Sequence, residues 1–434
     1  MSTAPPPAPP ASPWRWWVCL LLMLATVINY MDRMALNQMA KRIKEAFNLN
    51  NQQYGQLESV FSLAFAVGAI GTGYIVDRAS VRWVYPLMVL GWSVAGVLTG
   101  FASSFWMLLT CRFALGLFEA GNWPCGIRTT RAVLRPDERS LGNSLFQSGT
   151  ALGAVITPML VLVILQWADA NGVTDTWRVP FRAIGSLGLV WIALWFITVP
   201  SRMLNSTDAT GAPPAAQGAA RFADVFRDRR FWALVAVVMA VNFTWHGYRT
   251  WLPLYLQDQR GYTEAEMSKF TTAYYLVADV GSWTVGLTTL VLCRRGMAIH
   301  LSRVLMLGGC AALTLCTVAV PFLPGGWPLQ AGLLVVAFGA LGLFPTYFAL
   351  SQELSSKHQG KVTGTLGASA HLSLAVVYPV EGWICDVTKS YEWVLGGVGL
   401  CPLVALGVML WLWPPTAPVG RDEPGHSQEP LPSP

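Results

Sequence analysis

Charge is what this 434-residue sequence most lacks: Asp, Glu, Lys and Arg make up 12% of it, about half the share of an ordinary soluble domain. So few charges cannot cover a folded surface of this size, which excludes a soluble body built around one large core. Cysteine pairing is missing too. The eight Cys lie mostly inside apolar runs with no C-x-x-C, so they read as small hydrophobes rather than a disulfide or metal framework. No H-x-x-x-H, G-x-S-x-G or Walker loop occurs, so the sequence predicts no enzyme, no metal and no cofactor. No small-residue cleavage site follows a short apolar core, so the first apolar helix is expected to be retained.

What the chain does contain is apolar length. Hydrophobic residues make up 53% and the mean hydropathy is +0.45. Runs of roughly 20 residues can cross a bilayer core. Twelve such runs are predicted, at 17–39, 56–76, 84–103, 106–128, 140–166, 180–199, 231–257, 268–292, 301–322, 329–350, 362–384 and 393–413. Many of the 20 Trp sit near run ends, among them Trp14, Trp16, Trp17, Trp327, Trp411 and Trp413, where a membrane interface favours them.

An even number of spans puts both termini on one side. On this map 18 of the 29 Lys and Arg fall on the side of the termini, which the positive-inside rule makes cytoplasmic. The net charge of +6 is spread over short loops, with Arg128, Arg131, Arg135 and Arg139 in one of them, so it points to membrane orientation and not to nucleic acid. The predicted organisation is a Pro/Ala-rich disordered terminus 1–16, a six-helix bundle 17–200, a cytoplasmic linker 201–230, a second bundle 231–413 and a Pro-rich tail 414–434. Two bundles of six around a central site is an arrangement expected of a transporter.

Ionisable residues at membrane depth are disfavoured by roughly 2.5–3.5 kcal/mol each on insertion scales, so each one calls for a reason. The set comprises Asp32, Arg33, Arg112, Glu119, His246, Arg249, Asp279, His371 and Glu381. Asp32 and Arg33 follow Asn29 and Tyr30 in span 1; Arg112 and Glu119 lie seven apart, about two turns along one face of span 4. Both pairs can face one cavity, where an acid beside a base holds or releases a proton according to whether an anion occupies the base; the alternative is a plain buried ion pair locking the helices. His246 and Arg249 share a face of span 7 with Trp245, Tyr248 and Trp251 about them, suited to a sugar-like body. His246 can equally be a core histidine, and Arg249 can snorkel outward. At the end of span 2, Gly73, Asp77, Arg78 and Arg82 read as a conformational latch, with Gly73 allowing close helix approach. Gly149, Gly153 and Pro158, like Gly339, Gly342 and Pro345, fit close-packed or bent helices.

Several segments resemble the major facilitator superfamily and, within it, the anion:cation symporters, closest to hexuronate and aldonate transporters. They are Asn29-Tyr30-Met31-Asp32-Arg33, Gly73-Tyr74-Ile75-Val76-Asp77-Arg78 ending in Arg82, and Arg112-Phe113-Ala114-Leu115-Gly116 with Glu119-Ala120 and Pro124. Trp251-Leu252-Pro253-Leu254-Tyr255-Leu256 and Ser355 to Gly364 add to them. Ser80 stands where the span 2 signature usually has Gly. The resemblance covers nearly the whole chain. It implies an all-α polytopic membrane protein of twelve helices in two six-helix bundles, in the inner (plasma) membrane, acting as a monomer. It also implies proton-coupled uptake of a small organic anion, with Asp32 and Glu119 carrying protons and Arg33 and Arg112 near the substrate carboxylate or its coupling acid. Tyr30, Trp245, His246 and Arg249 complete the expected binding set. An organophosphate/phosphate antiporter of the same fold, using Arg33 and Arg249, and a non-transporting membrane sensor are the competing readings.

Overall fold

The computed structural model describes residues 14–134, 138–199, 222–354 and 359–413. The predicted tail 414–434, most of the predicted terminus and linker, Arg135, the segment Ser355–His358 and the Asp77 side chain lie outside what it describes. All regular structure among the described residues is helical. In the first half the helices are α1 (Trp14–Gln38), α2 (Ala40–Phe47), α3 (Asn51–Arg78), α4 (Val81–Thr99), α5 (Phe105–Glu119), α6 (Asn122–Val133), α7 (Arg139–Ala170) and α8 (Arg178–Thr198). The second half has α9 (Arg229–Leu254), α10 (Glu264–Arg294), α11 (Ile299–Thr314), α12 (Trp327–Leu354), α13 (Gln359–Thr388) and α14 (Glu392–Leu412). Each predicted span finds its helix, with α5 and α6 together forming one crossing.

Local chemistry sets these boundaries. Asn50 accepts from the Gln53 amide while the Gln53 side chain accepts from the Asn50 amide, a capping box that starts α3 five residues before the predicted span. Thr263 and Glu266 do the same for α10. The interruption between α5 and α6 falls at Ala120–Gly121, four residues before Pro124. A proline lacks the N–H that would bond the carbonyl four residues back and clashes with it, so the helix breaks there. Beyond Pro253, α9 continues as a π turn, Tyr255–Gln259, closed by the Arg260 amide on the Tyr255 carbonyl. Arg260 then bonds the Val320, Pro321 and Leu323 carbonyls and Glu392, tying together the ends of three helices.

The outer surface is apolar, as lipid requires: Ile70, Trp106, Ile197, Phe322 and Trp411 are all well exposed. Inside the first half, α1 and α7 pack backbone to backbone. A Cβ on Gly149 would lie 2.4 Å from the Met23 carbonyl oxygen, so the predicted close packing is present there.

The halves meet chiefly where α3 lies on α13 and α7 on α10, and the α3–α13 contact is lopsided. At the end away from the termini, Asp386 accepts from the Asn51 and Gln52 amides, and a Cβ on Gly382 would lie 2.3 Å from the Asn51 carbonyl oxygen. Arg42, on the unforeseen α2, forks between Asp169 and Glu264 (3.1 and 2.7 Å). Its hydrogen bonds to Glu264 and Asp169 hold its guanidinium protonated above the usual range. Toward the termini the seam opens: Cβ atoms on Gly71, Gly73, Gly364 or Gly367 would meet nothing within 4 Å. The far side is sealed and the side of the termini is open.

Candidate functional site

Where the seal gives way to the opening, charged side chains from four helices converge. Arg33 of α1 donates from Nε and Nη2 to Glu119 Oε2 at the end of α5 (3.2 and 2.9 Å). Its guanidinium lies 4.9–5.3 Å from the ring centres of Tyr30, Phe61 and Phe65. One turn toward the sealed side, Glu58 of α3 takes Arg112 Nη2 on Oε1 (3.2 Å) and Arg249 Nη2 on Oε2 (2.9 Å). Asn37 donates to the same Oε1 (3.0 Å), and Arg249 also reaches the Tyr378 hydroxyl (3.2 Å). Glu58 is wholly buried and Arg112 and Arg249 nearly so. Because Arg112 belongs to the first half and Arg249 to the second, one carboxylate pins the halves together.

The sequence-predicted residues are thus brought together in part. Arg33, Arg112, Glu119, Arg249 and Tyr30 converge on one centre. Asp32 does not join them. Neighbours on a helix are turned by about 100°, so with Arg33 facing the site Asp32 faces α4, where a Cβ on Gly96 would lie 3.0 Å from its Oδ1. Both its oxygens are buried without a hydrogen-bond partner, and the charges acting on it are Glu119 and Arg112. The expectation that Asp32 and Arg33 share one cavity is corrected accordingly. His246 and His371 lie 6.1 Å apart, and His371 stacks on Phe65 at 4.2 Å, which places both beside the Arg33 site. Trp245 packs edge-on to Tyr275 and Phe344.

Of the expected latch, Asp77 has a side chain outside what is described, and the other members are separate from one another. Gly73 permits no close helix approach here, since its surroundings are open. Arg78 lies over the ring of Tyr74 in its own helix, and Arg82 donates to the Val199 carbonyl at the end of α8.

Glu58, Tyr378 and Asn37 were missed. With the span drawn from residue 56, Glu58 fell at the membrane edge, where an acid needs no reason; the observed start at Asn51 puts it two turns inside.

Two helical halves closed at one end around buried ion pairs are the architecture of a membrane transporter. The chain belongs to the Major Facilitator Superfamily, whose family model matches residues 22–377, and it is not an enzyme. Among curated proteins it is similar to a probable sulfoacetate transporter of Cupriavidus necator, 27% identical over 388 residues that cover 86% of this chain and 87% of that one. It is also similar to the hexuronate transporter of Escherichia coli, 26% identical over 419 residues and 90% of both chains. A probable L-galactonate transporter of Escherichia coli is 24% identical over 86% of this chain and 83% of its own. In fold it is similar to a bacterial homolog of the human lysosomal transporter Spinster in an inward-facing, unoccupied conformation. That likeness has a TM-score of 0.75 at 19% identity, over 92% and 95% of the two chains. The D-xylose-proton symporter gives a TM-score of 0.73 at 15% identity, over 92% and 98%.

Proposed function

We propose that this transporter carries a small organic anion of the sugar-acid type, a hexuronate or an aldonate, together with a proton. The observation that carries the reading is a surplus of buried donors: Arg112 Nε and Nη1 and Arg249 Nε and Nη1 have no acceptor. Buried guanidinium N–H groups left unpaired are strongly disfavoured, and an anionic ligand rich in oxygen satisfies them. Beside them, Arg33 is occupied by Glu119. A proton on Glu119 weakens that pair and frees the Arg33 fork for a substrate carboxylate, so anion and proton load together. Asp32, buried with no donor, is a second group suited to holding a proton.

The names of the relatives support the anion class, and the excess of Lys and Arg on the side of the termini supports cytoplasmic termini. In the inner membrane with that orientation, the open side faces the cytoplasm. The test is uptake of labelled hexuronates and aldonates into proteoliposomes under an imposed pH gradient. Glu119→Gln should lose gradient-driven accumulation while retaining substrate exchange, because an amide cannot cycle a proton. Arg33→Gln should lose about 2 kcal/mol of binding, roughly 30-fold in affinity. Arg249→Gln should weaken binding and alter selectivity without abolishing it. Equal collapse of the two arginine variants, with phosphate-dependent exchange in the unmodified protein, would establish a phosphate-ester exchanger instead.

A further inference from the structure

A fourth buried carboxyl, after Asp32, Glu58 and Glu119, lies away from the substrate centre, in the sealed part of the seam. Glu381 of α13 is 4% exposed. Its Oε2 accepts one hydrogen bond, from Trp251 Nε1 of α9 at 2.8 Å, and its Oε1 has no partner. The groups facing it bring no counter-charge. From α13 itself come Tyr378 and Cys385, and from α14 comes Cys401. Lys44 and Asp386 face Cys385, and Lys44 is engaged with Asn51 and the Tyr391 hydroxyl (2.5 and 3.2 Å). Arg249 of α9 directs its Nη2 to Glu58 and Tyr378 and makes no bond to Glu381. From α3, Tyr54 stacks edge-on against Trp251 at 5.7 Å and accepts from Asn37.

This position is where the halves touch. The next residue, Gly382, packs against the backbone of Asn51 and Gln52, and Trp251 bridges Glu381 to Tyr54 across the seam. The cover of Glu381 toward α3 is Trp251 on Tyr54, so a separation of the halves at this end parts that contact and opens a way for water to the carboxyl.

We infer that Glu381 is a proton-binding site that closes the far side of the transporter, holding a proton while the seam is shut and losing it to water when the seam opens. An ionised carboxylate with one neutral donor and no cation is strongly disfavoured in a dry seam, whereas a neutral one is tolerated; in water the preference reverses. Acid on the far side therefore favours the closed seam, by about tenfold per pH unit at most for one proton. The proton is taken up and returned on the same side, so Glu381 sets when the far gate shuts and does not drive accumulation. The inference stands whichever anion is carried.

Hydrogen–deuterium exchange of the purified full chain between about pH 5.5 and 8.5, corrected for the chemical rate, reads this directly. Peptides covering 51–58 and 380–391 should exchange progressively faster as pH rises. Glu381→Gln should stay slow in them throughout, while Glu119→Gln keeps the dependence. Trp251→Phe retains the carboxyl but removes its donor, and should move the midpoint to higher pH. Unchanged pH dependence in Glu381→Gln, or an unmoved midpoint in Trp251→Phe, would overturn the assignment.

Discussion

Glu58 shows what one buried side chain can do when its partners come from two bundles. Its two oxygens each hold a guanidinium, Arg112 from the first half and Arg249 from the second, with Asn37 as an extra donor. Breaking a buried pair by removing one partner is disfavoured by about 3–5 kcal/mol, because the other charge stays behind. Glu58→Gln leaves two such charges. Its melting temperature should fall, and a saturating sugar acid should raise that temperature more than in the unmodified protein, since the ligand brings negative charge and oxygen acceptors beside the two guanidiniums left without a partner. A smaller ligand shift in the variant would show that the anion binds elsewhere. Arg33 and Asp32 make a related point: adjacent in sequence and alike in burial, they are separated in role by helical rotation, one facing Glu119 and the other Gly96.

At the level of elements, α3 and α13 form a hinge-like pair, touching at one end and apart at the other. Backbone contact at the touching end requires glycine, because any side chain at Gly382 would have to displace the Asn51 backbone. Gly382→Leu should therefore populate a far-side-open form, seen as faster exchange in peptides 51–58 at every pH; Gly367→Leu, at the open end, should leave those peptides unchanged. Retained slow exchange in Gly382→Leu would mean that the seam is held elsewhere. The twelve crossings were legible because hydropathy is summed within a single run and needs no partner. The break at Ala120–Gly121 was hidden inside an unbroken apolar run, although Pro124 was the local signal for it. The short helix α2 was hidden for another reason: it is basic and brief, and it is held by long-range pairs such as Arg42 with Glu264.

For the whole molecule, the arrangement commits the protein to one open face. Cysteine introduced at Gly367, where a side chain would meet nothing, should react with an impermeant thiol reagent in inside-out vesicles and not in intact cells. Reaction in intact cells would reverse either the topology or the open side. The far seal depends on partly exposed clamps, Arg42 with Asp169 and Glu264, as well as on the buried Glu58 centre. Salt screens the first kind and barely touches the second, so the centre is the part of the seal that survives ionic strength.

What the sequence determined by itself was what local composition carries: the membrane environment, the number of crossings, and most of the ionisable residues buried at membrane depth, with Glu58 the one among the described residues that it missed. Family motifs around Asp32, Arg33, Arg112 and Glu119 pointed to α1 and α5, which the structure joins through Arg33 and Glu119. What only the tertiary structure decided was pairing. Whether Arg33 meets Asp32 or Glu119, whether Arg249 faces lipid or Glu58, and which end of the seam is shut all depend on helices far apart in the chain coming together at a particular rotation and depth. No window of sequence holds that information, because the energy of a buried charge is set by its partner rather than by its neighbours in the chain.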